Sequence, residues 1–379
     1  LAQLVGGGVS TGAAPSRLDR VQAEARTVVH VDAGRSGLSM LHPYFRTGSW
    51  RVVEVGAGTA DNTDAPTRAL EAIGDGRARA VQGHDLLAGL ESVVDGDVRF
   101  DSYSRSLYAT DASIYEMTPI GVVFPKSTDD IAAAVAYCAE RGVAVLPRGG
   151  GTSLAGQTVN EAVVLDFTRY MDDLVAVDPD GRTATVQPGI YLGTLNDAVE
   201  PHGLKFAPDP AWGDKSAIGG AIGNNSTGSH SLQYGKTDAY VESVEAVLAD
   251  GTVTTFGEVA LDDLPALADG DGLEASVYAE IARILDEEGD LIEERYPDLK
   301  RNVSGYNLDW LVEDARGATR GVGEPDADGG TVNVAKLLCG SEGTLAIVTE
   351  ATVSLEPIPE TKGMTLLAYD SLDAAMRVI

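Results

Sequence analysis

The 379-residue chain carries 58 acidic residues against 28 basic ones, a formal net charge of −30 at pH 7, and 44% of its residues are hydrophobic. A surface this acidic repels nucleic acid and anionic lipid, which excludes nucleic acid as an expected partner. The two cysteines, Cys138 and Cys339, lie far apart in the sequence, so we expect neither a disulfide framework nor a metal site within the chain.

The composition also bears on the cellular setting. Arginine outnumbers lysine 21 to 7, and excess acid with little lysine is typical of proteins that work in concentrated salt. No apolar run reaches the ~20 residues of a transmembrane helix, and the first residues lack the pattern of a secretory signal. We therefore expect a cytoplasmic protein without a transmembrane segment, and peripheral association with the inner face of the membrane stays open.

The first 83 residues differ from the rest of the chain. Residues 1–80 hold 9 Arg, no Lys and 8 acidic residues, so nearly all of the negative charge lies beyond them. Periodicity is weak there except around "VVEVGAGT", which resembles the nucleotide loop of S-adenosylmethionine-dependent methyltransferases but has Ala60 in place of the third glycine. We predict that residues 1–83 are a poorly ordered or foreign N-terminal segment.

From about residue 84 the pattern is that of an α/β protein. The run "PIGVVFP" predicts a strand, and "STDDIAAAVAYCAERG" predicts a helix with a Ser or Thr N-cap and Gly142 as its C-cap. A strand at 143–147 follows, so these three elements predict a βαβ unit. The further predicted elements are strands near 163–167, 174–177 and 183–187, a helix over 192–199 and a helical insert over 276–296.

The last residues begin a new strand and helix. Leu372, Met376 and Ile379 form an apolar stripe that is cut off within an element. We therefore expect the chain to be a fragment in which residues 358–379 start a further domain.

A glycine-rich stretch, "PRGGGTSLAGQ" at 147–157, follows the predicted strand at 143–147. Glycine loses more conformational entropy on folding than other residues, so a run of it needs a compensating role. Successive backbone N–H groups in such a turn bind anions, and a pyrophosphate is the expected ligand. No G-K-[ST] follows, and Leu154 replaces the third glycine of a dinucleotide fingerprint, so neither of those loops is predicted. A plain tight turn is the alternative.

Two further segments are rich in glycine and small polar residues. Residues 206–237 are too long for an ordinary turn, and their small side chains would let the backbone lie flat against a planar ring. Residues 339–355 form a glycine turn that leads into a strand of alternating apolar residues. Three such segments around one α/β framework predict an extended cofactor with both a phosphate group and a ring.

Five stretches carry a resemblance to a known family: "PRGGGTSLAGQ", "PDPAW", "SAIGGAIGNNSTG", "YGKTDAYVESVEAVLADG" and "GSEGTLAIVTEATV". Together they resemble the FAD-binding domain of the vanillyl-alcohol oxidase and p-cresol methylhydroxylase superfamily. The branch that they resemble is the FAD-linked D-2-hydroxy-acid dehydrogenases, which are of the D-lactate dehydrogenase, glycolate oxidase and D-2-hydroxyglutarate dehydrogenase type.

The resemblance covers about residues 84–357 and implies an α+β, two-subdomain FAD-binding PCMH-type fold. The subdomains would span about 84–177 and 178–357, and residues 358–379 would be the truncated start of a ferredoxin-like cap domain. "KRNVSGYNLDWLVEDA" is similar to the long subgroup in which this unit is fused to a C-terminal iron–sulfur region. An iron–sulfur cluster is therefore expected only outside these 379 residues.

The resemblance also implies which residues would contact FAD. The pyrophosphate loop would be formed by Pro147, Arg148, Gly149, Gly150, Gly151, Thr152, Ser153 and Leu154. The ribityl chain and isoalloxazine would lie along Pro208, Asp209, Ser216, Gly219, Gly220, Asn224, Asn225 and Gly228. The last strand would contribute Gly343, Ile347 and Val348. Relatives that bind FAD covalently often have a histidine where this chain has Gly151, so we expect noncovalent FAD.

Catalytic residues are harder to assign, because in relatives the general base lies in the cap domain. His230 could face the flavin, although a structural histidine is an equal alternative. Arg301, with Tyr306 and Asn307 nearby, could reach a substrate carboxylate, since arginine offers a bidentate fork for carboxylates. The alternative for Arg301 is a solvated surface charge.

The function implied by the resemblance is oxidation of a D-2-hydroxy acid of the lactate, glycolate or 2-hydroxyglutarate class by hydride transfer to FAD. Electrons would pass to an iron–sulfur centre, a quinone or another acceptor protein. We expect the isolated chain to bind FAD but to turn over poorly. Two alternatives stay open: a non-catalytic flavin-binding subunit, and an enzyme of the UDP-N-acetylenolpyruvoylglucosamine reductase type.

Overall fold

The computed structural model describes residues 76–299, 301–320, 325–361, 368 and 370–377, together with the backbone of three short strands before residue 76; side chains are described from residue 85 onward. Most of the predicted N-terminal segment, including the glycines of "VVEVGAGT", lies outside the described residues, as does much of the predicted cap start at 358–379. The chain divides into two compact units, residues 1–86 and 87–379.

The strands of the described residues lie in five small sheets. In chain order they are β1 Val28–Asp32, β2 Ser39–Leu41, β3 Val52–Glu54, β4 Asp97–Arg99, β5 Gly121–Phe124, β6 Val145–Arg148, β7 Val163–Asp166, β8 Leu174–Asp178, β9 Thr183–Val186, β10 Leu204–Lys205, β11 Val241–Val247, β12 Val253–Phe256, β13 Glu258–Ala260, β14 Thr331–Asn333, β15 Ile347–Ser354 and β16 Glu356–Pro357.

The α-helices of the described residues are mostly short. They are α1 Gly76–Val93, α2 Ser102–Leu107, α3 Thr128–Ala139, α4 Leu192–Val199, α5 Ile218–Gly223, α6 Ser231–Tyr234, α7 Leu264–Ala268, α8 Leu273–Arg283, α9 Gly289–Arg295, α10 Leu308–Arg316 and α11 Leu372–Met376. None of the helices in the described part of the chain is long and apolar enough to span a bilayer.

The first unit contains a three-stranded sheet in the order β2-β1-β3. Strands β1 and β2 pair antiparallel, whereas β1 and β3 pair parallel. The predicted poorly ordered segment thus contains three short strands, one of which, β3, coincides with the start of "VVEVGAGT".

A four-stranded sheet in the order β4-β5-β7-β6 opens the second unit. Strands β5 and β6 both run parallel to β7, which lies between them. The predicted βαβ unit therefore exists as two parallel strands linked through α3, but the two strands are not direct neighbours. Strands β5 and β7 are buried at every residue, because their "GVVF" and "VVLD" sequences are covered on both faces.

Helix α3 follows the sequence prediction closely. Its N-cap is Ser127, whose hydroxyl accepts a hydrogen bond from the Asp130 backbone N–H at 3.2 Å, and Asp129 and Asp130 in the first turn suit the positive end of the helix dipole. The buried positions include Ile131, Ala134, Val135 and Cys138, the spacing of one helical face. Since the helix ends at Ala139, Gly142 with φ +61° lies just beyond it.

A five-stranded antiparallel sheet, β12-β11-β15-β9-β8, forms the second half of the fold. Along β15 the residues alternate strictly between buried and half-buried, so one face of this sheet covers the largest hydrophobic core. Strand β8 belongs to this sheet, so the chain changes sheets between Asp166 and Leu174, ahead of the predicted subdomain boundary at 177–178.

The helical insert predicted over 276–296 is not one continuous helix. Helices α8 and α9 are joined by a π-helical stretch, Ile284–Glu288. Arg283 lies at the junction, where its guanidinium donates to Glu280 at 2.6 Å and to Glu287 at 2.9 Å. The extra residue of the π turn shifts the apolar face between the two helices.

Candidate cofactor-binding site

The glycine loop follows the carboxyl end of β6, and several of its backbone N–H groups have no hydrogen-bond partner among the described residues. From Gly149 to Leu154, no backbone N–H donates a hydrogen bond to another group among the residues that the structure describes. Gly151 has φ +64°, the left-handed conformation that breaks the strand and turns the loop. Successive unpaired N–H groups in a turn are the kind of arrangement that can bind an anion.

The first two glycines are required by close packing. A Cβ on Gly149 would lie 2.7 Å from the Cβ of Ala217, and one on Gly150 would collide with the carbonyl oxygen of Lys215. A hydrogen bond of 3.1 Å between the hydroxyls of Thr152 and Ser216 joins the same two segments. The loop therefore lies directly against the chain that enters α5.

A cleft lies where this loop, α5 and the segment before β15 meet, with about 640 Å³ of empty space that includes its opening to solvent. Concave sites with a few convergent polar groups are where small molecules and cofactors bind. The lining residues that were predicted from the sequence are Pro147, Arg148, Gly149, Ser153, Gly219, Gly220, Gly343, Ile347 and Val348. The lining residues that sequence reasoning missed are Gln157, Thr158, Phe167, Pro188, Gly223, Leu338, Ser341, Glu342 and Ala346.

The third glycine segment closes the cleft through a tight turn. Glu342 and Gly343 both have left-handed φ angles, +52° and +73°. A Cβ on Gly343 would lie 2.5 Å from the Cγ of Pro147, so this turn contacts the end of β6. The Glu342 backbone N–H donates to the carbonyl oxygen of Gly223 at 2.9 Å, which fixes the turn to the end of α5.

Arg148 lines the cleft but is largely occupied by the protein itself. Its guanidinium donates to the carbonyl oxygens of Tyr108, Thr110 and Thr158 at 3.3, 2.8 and 2.9 Å. Burial lowers the pKa of Arg148 from its ordinary value, and Asp166 partly opposes the effect. The arginine thus ties the start of the glycine loop to two neighbouring segments, which keeps the loop in place.

Glu342 and Gln157 form the one side-chain hydrogen bond that the structure gives between the glycine loop and the 341–343 turn. The Gln157 Nε2 donates to Glu342 Oε1 at 3.4 Å, and Gln157 Oε1 accepts from the Ala155 backbone N–H at 3.1 Å. Burial raises the pKa of Glu342 to about 7, and the hydrogen bond from Gln157 opposes the shift.

The remaining predicted contacts lie beside the cleft rather than in its lining. Pro208 is buried and Asp209 is exposed, and a Cβ on Gly228 would collide with the carbonyl oxygen of Asp209. The "PDP" and "NNSTG" segments are therefore packed backbone to backbone. His230 is exposed and its Nδ1 lies 3.2 Å from Asp209 Oδ2; it is not among the residues that line the cleft.

Asn225 belongs to a buried polar network behind the cleft. It adopts a left-handed φ of +48°, and its side-chain amide donates to Asp238 Oδ2 at 2.6 Å. Asn307 donates to the same carboxylate oxygen at 3.0 Å, and Lys236 Nζ lies 3.2 Å from it. These contacts hold the turn that carries Asn224 and Gly228, a network that the sequence did not reveal.

The side chains of Arg301 and Tyr306 are not among those that form this network. Arg301 is exposed and does not line the cleft. The Tyr306 hydroxyl lies 2.9 Å from the hydroxyl of Thr344, beside the 341–343 turn, and burial raises its pKa. The cleft lining also lacks six residues that were predicted to contact FAD: Gly150, Gly151, Thr152, Leu154, Ser216 and Asn225. Of these, Leu154 is 70% exposed.

The residues present fit a flavin dinucleotide. Free backbone donors suit the diphosphate, and Gly220, which lines the cleft without a side chain, suits the close approach of a planar or extended group. A Cβ on Gly220 would meet no heavy atom within 4 Å, so this glycine leaves open space beside the cleft.

Comparison with known proteins agrees with this geometry. Residues 119–257 match the family model described as "FAD binding domain". The D-2-hydroxyglutarate dehydrogenase of Pantoea ananatis is 32% identical over 285 residues, which is 74% of this chain and 27% of that protein. The glycolate oxidase subunit GlcD of Bacillus subtilis is 33% identical over 76% of this chain and 48% of that subunit.

A third relative is the D-lactate dehydrogenase of Archaeoglobus fulgidus, 32% identical over 68% of this chain and 43% of that protein. The chain spans 27% to 48% of the length of these three relatives. It has an α+β fold of the FAD-binding PCMH type, and it belongs to the FAD-linked oxidase family.

Proposed function

We propose that this chain is the FAD-binding part of a dehydrogenase that oxidises a D-2-hydroxy acid. The substrate would be of the lactate, glycolate or 2-hydroxyglutarate class, and it would lose the hydride of its α-carbon and the proton of its hydroxyl. Noncovalently bound FAD would supply the two-electron acceptor for this reaction. Electrons would then leave to an iron–sulfur centre, a quinone or another acceptor.

One observation carries the proposal: six successive unpaired amides, Gly149 to Leu154, lie beside an open cleft. Unpaired backbone donors are uncommon in folded proteins unless water or a ligand satisfies them. The cleft continues along α5 to the 341–343 turn, so it suits an extended anion. A dinucleotide meets both requirements.

The chain's own residues would have four tasks. The loop amides would hold the diphosphate, and the glycines of α5 would let the cofactor approach the backbone. The buried network of Asn225, Asp238 and Asn307 would keep the adjoining polar turn fixed. Pro208, Asp209 and Gly228 would border the flavin side of the cofactor.

The substrate class and the acceptor rest on the relatives' names, which are a D-2-hydroxyglutarate dehydrogenase, a glycolate oxidase subunit and a D-lactate dehydrogenase. A GlcD-type relative is a subunit, which supports a partner protein for this chain too. We assign no general base, since neither His230 nor Arg301 lines the cleft.

The first experiment titrates the purified 379-residue chain with FAD in concentrated KCl and follows flavin fluorescence. We expect saturable binding of one FAD. Gly220→Ala is the test variant, because it adds a methyl group to the open space beside the cleft and favours the helix by about 0.5–1 kcal/mol. It should weaken FAD binding without lowering the thermal midpoint of the FAD-free protein.

Gly257→Ala is the matched control. Its added Cβ would make only ordinary contacts of 3.4 Å or more, and Gly257 does not line the cleft, so its FAD affinity should equal that of the unchanged chain. Absence of FAD binding, or equal affinity for both alanine variants, would contradict the proposed site.

The second experiment addresses the substrate. The natural polypeptide that contains this chain is loaded with FAD and mixed anaerobically with the D and L forms of lactate, glycerate and 2-hydroxyglutarate, and with glycolate. We expect the flavin absorbance near its visible maximum to bleach with a D acid or glycolate and to persist with the L acids. Bleaching by none of them, despite bound FAD, would instead support the non-catalytic flavin-binding alternative.

A further inference from the structure

One acidic side chain lines the cofactor cleft. Among the described lining residues, Glu342 is the single carboxylate, and Arg148 is the single cation. Gly149 and Ser153, two residues of the glycine loop whose amides are unpaired, line the same cleft. A carboxylate therefore lies in the site that is proposed to receive a diphosphate with two negative charges.

The backbone holds Glu342 in this position. Its φ of +52° is in the left-handed region, which residues other than glycine, asparagine and aspartate rarely adopt. The N–H of Glu342 donates to Gly223 at 2.9 Å, and the N–H of Thr344 donates to Ser341 at 2.9 Å, so the turn is fixed on both sides. A non-glycine residue that is kept in such a conformation points to a role for its side chain.

The carboxyl group has one hydrogen-bonding partner in the described part of the protein. Gln157 donates to Oε1 at 3.4 Å, and Oε2 has no partner among the described residues. Glu342 is half-buried and is one of the residues that line the cleft. One oxygen of Glu342 is therefore free to contact a bound molecule.

Nothing in the described surroundings neutralises a charge on Glu342. Arg148 lies in the same cleft but donates to three backbone carbonyl oxygens. Helix α5, which packs against the turn, has the sequence "IGGAIG" and brings no titratable group. Next to the turn, the Tyr306 hydroxyl contacts Thr344. Cys339 is fully buried, and this burial raises the pKa of its thiol.

The charged groups behind the turn are paired with one another. Lys236 Nζ lies 3.2 Å from Asp238, and Lys336 Nζ lies 3.6 Å from Asp314. Burial raises the pKa of Glu342 to about 7. At neutral pH the free protein would thus contain both the charged and the neutral form of this side chain.

We propose that Glu342 is a cofactor-binding residue that contacts FAD as the neutral acid and donates a hydrogen bond from its carboxyl group to an oxygen of the dinucleotide. The inference rests on the proposed function of the cleft as an FAD site. FAD binding and protonation of Glu342 are then linked. At high pH, where Glu342 is ionised in the free protein, the carboxylate takes up a proton when FAD binds.

The test measures the dissociation constant of FAD between pH 6 and pH 9 in constant high salt, by flavin fluorescence. If only the neutral acid binds FAD and its pKa in the free protein is about 7, the dissociation constant should rise about 90-fold over this range and about tenfold per unit above pH 8. Calorimetry at pH 8 in two buffers of different ionisation enthalpy should show uptake of about 0.9 proton per FAD.

Glu342→Gln keeps the size and the hydrogen-bond donor but cannot ionise, so it should bind FAD with nearly the same affinity at pH 6 and pH 9. Glu342→Gly is the second variant, because glycine suits a φ of +52° and should preserve the fold. The matched control is Glu350→Gln: burial and Glu245 raise the pKa of Glu350, yet it does not line the cleft, so the pH dependence should persist.

The outcomes separate this inference from the proposed function. No FAD binding at any pH would overturn the FAD site itself. FAD binding that does not change between pH 6 and pH 9, or a pH dependence that persists in both Glu342 variants, would leave the FAD site intact and overturn the role of Glu342.

Discussion

Removal of the Asp238 carboxylate is the perturbation that most severely tests the buried network behind the cleft. Asp238 is fully buried and Lys236 is 3% exposed, and their charged atoms lie 3.2 Å apart. Asp238 Oδ2 also accepts from Asn225 at 2.6 Å and from Asn307 at 3.0 Å. Asp238→Ala therefore leaves a buried ammonium group without its counter-charge and removes the nearest acceptor of two buried amides. Asn225 then keeps only a contact of 3.4 Å to Asn307 Oδ1, and Asn307 one of 3.3 Å to the Lys336 carbonyl oxygen.

The magnitude follows from these contacts. Removing one partner of a buried ion pair costs about 3–5 kcal/mol, because the other charge stays buried and unpaired. Two features reduce the effect here. Lys236 still donates to the Asn302 carbonyl oxygen at 3.2 Å and lies 5.3 Å from the centre of the Trp310 ring, and Asp238 Oδ1 has no hydrogen-bond partner in the described network. We expect a loss of about 3 kcal/mol in the free energy of unfolding.

The assay is urea denaturation in a fixed high concentration of KCl, followed by tryptophan fluorescence. Asp290→Ala is the matched control: Asp290 pairs with Arg316 at 2.8 Å but its side chain is 96% exposed, so its loss should change stability by less than about 0.5 kcal/mol. The Asp238 variant should also bind FAD more weakly, because the left-handed turn at Asn225 loses its anchor. A loss below about 1 kcal/mol for Asp238→Ala would refute the reasoning.

Three further predictions concern the 341–343 turn, the dependence of stability on pH and its dependence on salt. Gly343→Ala should reduce both the thermal midpoint and the FAD affinity, because φ is +73° and the new Cβ would lie 2.5 Å from Pro147 Cγ; an unchanged midpoint would argue against this packing. In the FAD-free protein, the pKa of Glu342 is raised from 4.5 to about 7. Its contribution to stability is therefore complete below pH 4.5 and is lost as the pH rises through 7, so the free energy of unfolding of the unchanged chain should fall by about 3 kcal/mol relative to that of Glu342→Gln across that range. With a net charge of −30, the thermal midpoint should rise steadily as KCl is raised from about 0.1 M to several molar, and a flat profile would contradict salt adaptation.

Local sequence signals predicted the elements but only part of the site. Helix α4 was predicted at 192–199 and is observed at Leu192–Val199, and the glycine loop at 147–157 does follow a strand of the parallel sheet. These signals are local, because capping residues, apolar spacing and glycine runs act within a few residues of one another. The π-helical interruption at Ile284–Glu288 has no comparable signature, so the insert was predicted as a single helix.

The rest of the cleft depends on contacts between distant segments. Gln157 and Glu342 are 185 positions apart and meet only because β6, α5 and the 341–343 turn converge. Pro188 and Phe167 line the cleft for the same reason. Arg148 was predicted as part of the pyrophosphate loop, and its three carbonyl partners could not be inferred without the fold.

Binding of the FAD diphosphate by the amides of Gly149 to Leu154 is the interaction on which the proposed function depends. Hydrogen exchange of the peptides that cover 147–157, followed by mass spectrometry with and without FAD in concentrated KCl, reports on these amides themselves. Because they have no partner in the described structure, they should exchange rapidly without cofactor and become protected when FAD is added, whereas peptides of α3 should not change. Saturation with FAD that leaves the exchange of 149–154 unaltered would show that the diphosphate is bound elsewhere.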